Sequence, residues 1–120
     1  MAQVNHIENY DKLRNLSAKL IAEIPETMAG FGELHAAATS NGALDTKTKE
    51  LIALSIGISV HCNGCIAFHV HDALKAGANR QEVLETIGVA ILMGGSPSMV
   101  YACEALEALE QFELERDLPL

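Results

Sequence analysis

The sequence predicts an all-α fold, a bundle of about six helices. Alanine, leucine and isoleucine supply most of its apolar residues (49%), whereas there are only three Phe, two Tyr and no Trp, a composition that suits packed helices. No stretch alternates apolar and polar residues with the β-branched enrichment of strands. With 120 residues, we expect one domain over 1–120, with an N-terminal helical pair in 1–42 packed on a core in 43–120.

Three helices are predicted in the first half of the chain. The first covers Tyr10–Ala22, where leucines and an isoleucine recur on one side. Pro25 follows a break and suits the first position of a second helix, Pro25–Ala38. After a polar loop, Asp45 is a good N-cap for a third helix, Thr46–Ser59, which is apolar over most of its girth.

Three more helices are predicted in the second half. The fourth covers Cys62–Ala76 and is closed by Gly77, since glycine is favoured just beyond a helix end. Asn79 caps the fifth, which ends at the pair Gly94-Gly95. Ser96 then caps a last helix, Pro97–Glu115. Its apolar, buried face is predicted to comprise Met99, Ala102, Cys103, Leu106 and Leu109.

The charge pattern excludes several classes of partner. Eight Lys+Arg against 16 Asp+Glu give a net charge of −8, without a basic stripe that could bind nucleic acid or an anionic membrane surface. The apolar stretches are too short to span a bilayer, and the N-terminus lacks the apolar core of a signal peptide. We therefore expect a cytoplasmic protein, in which a close cysteine pair is more often catalytic or metal-binding than structural.

The informative motif is a C-x-x-C pair, Cys62 and Cys65, at the start of the fourth helix. Such a dithiol can close to a disulfide. Exposed backbone N–H groups and the helix dipole stabilise a thiolate there, so Cys62 is expected to be the more acidic and more exposed sulfur. At about 100° per residue, His69 lies one turn after Cys65 on the same face, so its imidazole can serve Cys65 directly.

A height argument adds Glu50 to this face. If the third and fourth helices form an antiparallel hairpin, Glu50 and His69 both lie roughly 14–15 Å from its turn. A carboxylate beside an imidazole makes the ring a stronger base and fixes its orientation. The sequence therefore predicts a relay in which Glu50 supports His69 and His69 takes the proton from Cys65. The alternative is that Glu50 is an ordinary solvated helix residue that follows Lys47 and Lys49.

These four residues stand at the spacing of a known family. Their pattern resembles the signature of the alkylhydroperoxidase D / carboxymuconolactone decarboxylase family. In this pattern, eleven residues separate Glu50 from the pair Cys62-x-x-Cys65, and three more separate Cys65 from His69. The resemblance covers about residues 43–110. It includes the segments 44–54 and 76–78, followed by Glu82.

The resemblance implies an all-helical, alkylhydroperoxidase D (AhpD)-like fold, usually assembled as trimers or hexamers. Cysteine-bearing members are thiol peroxidases and disulfide reductases that act with peroxiredoxin-type or other dithiol partners, so no cofactor is expected. One position departs from the pattern. Peroxidase members often carry a histidine just before the second cysteine, where this chain has Gly64, and His61 stands before the first cysteine instead.

Carried over residue by residue, the family pattern gives each group a role. Cys65 would attack the hydroperoxide and Cys62 would resolve the product as a disulfide. Glu50 and His69 would be the proton relay. The sequence thus indicates a thiol-dependent antioxidant enzyme, an alkylhydroperoxidase or disulfide reductase.

Three other interpretations stay open. The first is a zinc site, with Cys62, Cys65 and His69 as ligands and Glu50 as a fourth, although the sequence has no second C-x-x-C. The chain could be a carboxymuconolactone-type decarboxylase, but such an acidic substrate favours cationic contacts and only three arginines are present. A non-enzymatic redox-sensing or metal-binding scaffold is the third.

The remaining candidates are expected to be structural. Cys103 is predicted to be a core thiol of the last helix. His6, His35 and His61 have no evident partner and are predicted to lie on the surface, and His71 to be a surface or packing residue. A chain this apolar has more apolar helix faces than one small core can bury, so a homo-oligomer is expected.

Overall fold

The computed structural model describes residues 4–117, and within this range it contains six α-helices and no strand. The all-α fold is therefore confirmed. The helices are α1 (His6–Glu23), α2 (Pro25–Thr39), α3 (Thr46–Ser59), α4 (Asn63–Lys75), α5 (Arg80–Gly94) and α6 (Ser96–Asp117). None of these helices is long and apolar enough to cross a membrane.

The first helix starts earlier than Tyr10, where the hydrophobic pattern placed it. Asn5 is the N-cap, and its side chain accepts a hydrogen bond from the backbone N–H of Glu8 at 2.9 Å. This satisfies one of the backbone donors that every helix start leaves open. The capping pair Asn5 and Glu8 therefore decides the boundary, not the onset of apolar periodicity.

The prediction that His6 lies on the surface is wrong. His6 is buried, and its Nε2 lies 3.1 Å from Oε1 of Glu107. Its backbone N–H donates to Oε1 of Gln111 at 2.6 Å, and Gln111 in turn donates to the carbonyl of Val4. These contacts are made more than a hundred residues apart in sequence, and they attach the start of α1 to α6.

Helices α3 and α4 form the predicted antiparallel hairpin. Asp45 caps α3 by accepting the backbone N–H of Thr48 at 2.7 Å. The turn runs through His61, whose φ of 59° is left-handed. Cys62 then serves as the N-cap of α4, immediately before its first residue.

The two helices of the hairpin approach closely at Gly57. A Cβ placed on Gly57 would lie 3.1 Å from Cβ of Cys65, closer than side chains normally pack. Glycine at this buried position therefore lets the backbone of α4 come up against α3 beside the cysteine pair.

The core lies among α3, α4, α5 and α6, with Tyr10 as the contribution of α1. Its fully buried aliphatic side chains come from all four of those helices, including Leu54, Ile66, Val83 and Leu109. Burying each such side chain contributes roughly 1.5–3 kcal/mol, which is what holds the hairpin in place. Gly77, with a φ of 101°, ends α4 as predicted, and Ala78 beyond it donates to the carbonyl of Ala73.

The predicted buried face of α6 is only partly correct. Ala102 and Leu109 are buried, but Met99 is 45% exposed, Leu106 is 36% exposed and Cys103 is exposed. Cys103 is therefore not a core thiol. The face that packs consists mainly of small residues, because these let α6 approach the core closely. Its members are Ser98, Ala102, Ala105, Ala108, Leu109 and Phe112.

Helix α2 contributes no buried residue. It contacts α1 and the start of α3, while Phe31 and Leu34 are 60% and 64% exposed. On α5, Leu92 and Met93 are more exposed still, at 79% and 76%. Exposed apolar side chains in such number are typical of surfaces that meet another chain, so the homo-oligomer stays a prediction.

Substituting Gly57 by alanine tests the close approach of α3 and α4. In an open helix, Gly→Ala stabilises by roughly 0.5–1 kcal/mol. At Gly57 the added methyl group meets Cβ of Cys65, so we expect Gly57→Ala to lower the Tm. Gly30 in α2 has nothing within 4 Å of an added Cβ and is the matched control, for which the Tm should rise. Equal gains in both variants, measured by thermal unfolding, would contradict this packing.

Asp45 gives α3 a pH-dependent N-cap. Hydrogen bonds from Thr48 lower the pKa of Asp45, so its charged form favours the folded state. This stabilisation is present above the usual pKa of an aspartate and is lost as the pH falls through the lower pKa of the folded protein. We expect Asp45→Ala to unfold at a lower temperature than the wild type at pH 7, with the difference shrinking below pH ~4. Asp45→Asn keeps a cap without this titration, so its advantage over Asp45→Ala should not depend on pH.

Candidate active site

Glu50 and His69 meet across the α3–α4 hairpin. Nδ1 of His69 lies 2.7 Å from Oε2 of Glu50, as the height argument predicts. The Glu50 side chain is 4% exposed and that of His69 21%. An ionised carboxylate can only accept, so Nδ1 carries the proton of this hydrogen bond and Nε2 is left as the ring nitrogen that can take a proton.

Glu50 is not the solvated helix residue of the alternative interpretation. The two lysines before it bind elsewhere: Lys47 forms an ion pair with Glu82 at 2.8 Å, and Lys49 donates to the carbonyl of Ser40 at 2.6 Å. The Lys47–Glu82 contact raises the pKa of Lys47 and lowers the pKa of Glu82, and it links the start of α3 to α5. The buried carboxylate of Glu50 thus has an imidazole as its partner and no ammonium group.

The two cysteines of the motif form a disulfide. Cys62 and Cys65 are joined with their Cα atoms 5.2 Å apart, and both are half-buried. Sγ of Cys62 accepts the backbone N–H of Cys65 at 3.2 Å. A donor aimed at this sulfur stabilises negative charge on it once the disulfide opens, which is the chemical property expected of a redox-active cysteine at a helix start.

The four predicted site residues therefore form two pairs on the hairpin. Cys62 and Cys65 are joined by the disulfide, and Glu50 and His69 by a hydrogen bond. In the disulfide form, no hydrogen bond between residues 4–117 joins either sulfur to His69. Cys65 and His69 are both on α4, one helical turn apart. This spacing brings their side chains to neighbouring positions on the helix surface.

Gly64, where the chain departs from the family pattern, lies against α1. A Cβ on Gly64 would lie 3.0 Å from Cδ1 of Leu13, so a side chain here would require the end of that leucine to move by a few tenths of an ångström. Beside it is an open cleft of about 320 Å³. Its lining residues are Asn9, Lys12, Leu13, Leu16, Asn63 and Gly64. His61 is exposed and stacks on Tyr101, with ring centroids 4.4 Å apart.

A second group of polar side chains adjoins Glu50 and was not predicted from the sequence. His35, Glu50 and Asp72 come from α2, α3 and α4, and their ligand atoms all lie within 4.8 Å of one another. Asp72 follows His69 by three residues, so helical spacing alone could have placed it nearby. His35 could not be found in this way, because only the packing of α2 brings it here. The ring of His71 stacks on the ring of Tyr10, with centroids 4.2 Å apart, which is consistent with a packing residue.

The structure thus combines an all-α fold with a C-x-x-C disulfide at a helix start and a histidine–carboxylate pair on the same hairpin, the arrangement of a dithiol protein. Residues 25–108 match the model of the Carboxymuconolactone decarboxylase family, which is more than half of the chain. The chain belongs to this family, and the resemblance noted from the sequence is confirmed.

Solved structures of the family are similar over nearly the whole chain. A carboxymuconolactone decarboxylase family protein of Legionella pneumophila, in its apo form, is 48% identical with a TM-score of 0.86, over 89% of this chain and 96% of that one. One from Thermotoga maritima, for which involvement in antioxidative response has been suggested, is 28% identical with a TM-score of 0.80, over 90% and 93%. An uncharacterised protein of Cupriavidus necator is 38% identical over 68% of this chain and 73% of its own length.

Proposed function

We propose that this protein is a thiol-dependent antioxidant enzyme that reduces organic hydroperoxides with its Cys62/Cys65 pair. The observation that carries the proposal is the 2.7 Å contact between Glu50 and His69, made one turn from a disulfide that opens to a dithiol. The suggested antioxidative role of the Thermotoga maritima protein supports the same chemistry.

The first step is attack of the Cys65 thiolate on the terminal oxygen of the hydroperoxide. His69 takes the thiol proton at Nε2 and delivers it to the alkoxide that leaves when the O–O bond breaks. The products are an alcohol and the sulfenic acid of Cys65. Sulfur is oxidised by two electrons and the peroxide is reduced by two.

The second step closes the disulfide. The thiol of Cys62 attacks the sulfenic sulfur of Cys65, the S–S bond forms and water leaves. An external dithiol, a peroxiredoxin-type or other dithiol protein, then reduces this disulfide by exchange and is itself oxidised. Run in reverse against a partner's disulfide, Cys62, the N-cap of α4, would attack first.

Glu50 acts in this scheme as a positioning residue. It touches no substrate atom, but its hydrogen bond fixes the tautomer of His69, so that the proton is carried on Nδ1 and Nε2 is the base. Glu50 is only 3% exposed, so its burial limits the competition of water for that bond. The cysteine pair suits a reducing cytoplasm as the proposed compartment. The exposed apolar helix faces and the family resemblance support a homo-oligomer, a trimer or hexamer, as the proposed assembly.

Cysteine variants test the proposal directly. Reduced protein is mixed with cumene hydroperoxide and excess dithiothreitol, and peroxide loss is followed with time. We expect Cys65→Ser to abolish turnover, and Cys62→Ser to allow one oxidation per chain without efficient turnover. Cys103→Ser is the matched control, since Cys103 is exposed and unpaired by any disulfide, and it should match the wild type. Unchanged turnover in both motif variants, or turnover of a carboxymuconolactone by the double variant, would overturn the proposal.

Glu50→Gln tests the relay. Glutamine preserves the size of the side chain but not its charge, so we expect kcat for peroxide reduction to fall by about tenfold to a hundredfold while KM changes little. The pH profile of the reaction should also change, which a loss of packing alone would not cause. Glu50→Asp should recover part of the rate. A wild-type rate and pH profile in Glu50→Gln, with an unchanged Tm, would show that the carboxylate has no part in the chemistry.

A further inference from the structure

The turn that leads into the cysteine pair closes α3 with a Schellman motif. The backbone N–H of Cys62 donates to the carbonyl of Gly57 at 2.9 Å. The backbone N–H of His61 donates to the carbonyl of Ile58 at 3.2 Å. In this motif the residue just beyond the helix takes the left-handed conformation, and here that residue is His61, with a φ of 59°. A histidine therefore stands where a helix end ordinarily has glycine.

The end of α4 offers a comparison within the same chain. Ala78 donates to the carbonyl of Ala73 and Gly77 to that of Leu74, which is the same pair of hydrogen bonds, with a φ of 101° at Gly77. Glycine takes the left-handed conformation without the steric cost that a Cβ atom brings. Among the residues that the structure describes, His61 is the only one other than glycine with a positive φ. The turn before the cysteines thus carries a backbone cost that the other turn avoids.

The ring of His61 makes a contact that offsets this cost. It stacks on the ring of Tyr101 in α6, with centroids 4.4 Å apart and the ring planes 6° from parallel. Tyr101 is half-buried whereas His61 is exposed, so the tyrosine gives the histidine ring a fixed surface. Residues in unfavourable backbone conformations persist where their surroundings hold them, and they cluster at functional sites. The stack therefore holds the left-handed turn from outside the hairpin.

Cys62, the residue after His61, belongs to both helix ends. Its backbone N–H makes the closing hydrogen bond of α3, and its Sγ caps α4 by accepting the N–H of Cys65 at 3.2 Å. In the disulfide form, the bond to Cys65 also fixes the position of this sulfur. Reduction removes that covalent restraint, so the direction of the sulfur then depends on the backbone of the turn.

We propose that His61 and Tyr101 are positioning residues of the cysteine pair. Their stacked rings hold the turn, so that the sulfur of reduced Cys62 stays against the backbone N–H of Cys65. A sulfur held there is stabilised as a thiolate by the N–H group. Tyr101 stands outside the C-x-x-C pattern, and the packing of α6 against the hairpin brings it to the turn.

The consequence for catalysis rests on the proposed function. After peroxide has oxidised Cys65 to the sulfenic acid, Cys62 must attack that sulfur, forming the S–S bond with loss of water. A second peroxide molecule competes with this attack and would oxidise Cys65 further to the sulfinic acid. By keeping Cys62 beside Cys65, the stack of His61 and Tyr101 shortens the lifetime of the sulfenic acid.

The first experiment needs no turnover. The full chain with Cys103→Ser is kept reduced by a phosphine, and exchange of the position-65 amide proton with water is measured by NMR. We expect Tyr101→Ala to speed this exchange by about tenfold, because the sulfur no longer stays on the N–H group. Tyr101→Phe keeps a stacked ring and should match the parent. Gly77→Ala is the matched control, because it puts a Cβ into the other left-handed turn: its Tm should fall while exchange at position 65 stays unchanged.

A double-variant cycle tests whether the two rings act as one unit. His61 is exposed, so His61→Ala leaves the core intact and should speed the exchange as Tyr101→Ala does. The double variant should exchange little faster than either single variant, because the same stack is lost in all three. Parent-like exchange in Tyr101→Ala and His61→Ala, effects that multiply in the double variant, or equal acceleration in Gly77→Ala would overturn the inference.

The second experiment follows the proposed reaction. Reduced protein receives an equimolar amount of cumene hydroperoxide, and dimedone traps the sulfenic acid of Cys65 for mass spectrometry. We expect about threefold more adduct in Tyr101→Ala than in the parent, and a parent-like amount in Tyr101→Phe. Equal amounts of adduct in Tyr101→Ala and the parent would overturn the role in closing the disulfide. A parent protein that consumes no peroxide would contradict the proposed function alone, since amide exchange is measured without peroxide.

Discussion

The hydrogen bond between Glu50 and His69 is the constraint on which the candidate site depends. It joins two helices that are adjacent in sequence but run in opposite directions, and it is buried on the side of Glu50. A one-residue change in the register of either helix would turn one partner by about 100° and break the contact. The cap at Asp45, the left-handed turn at His61 and the missing side chain at Gly57 all act to keep that register.

Much of the fold follows from local chemistry and could be predicted. Pro25, Asp45, Gly77 and Asn79 each satisfy or terminate a helix end through nearby atoms, and the structure shows all four in those roles. The Glu50–His69 contact could be predicted as well, because it depends only on the rise per residue along two consecutive helices. Local rules suffice where the partners are close in sequence.

The features that could not be predicted depend on contacts between distant parts of the chain. His6 is buried because α6, a hundred residues away, supplies Glu107 and Gln111. Cys103 is exposed because α6 turns its alanines toward the core, a choice that the apolar pattern of Met99, Cys103 and Leu106 does not show. His35 joins Glu50 only through the packing of α2. Hydrophobic periodicity identifies a helix but does not tell which of two apolar faces is covered.

In the proposed redox cycle, the position of Cys62 links reduction of the disulfide to the stability of a helix end. The same sulfur caps α4 and belongs to the disulfide, and a thiolate accepts the Cys65 N–H more strongly than a disulfide sulfur does. The reduced state consequently gains stability from the first turn of α4. An interaction that stabilises the first turn of α4 more in the reduced state than in the disulfide state therefore makes the disulfide a stronger oxidant. Stabilisation of the reduced form has the same effect in other dithiol proteins.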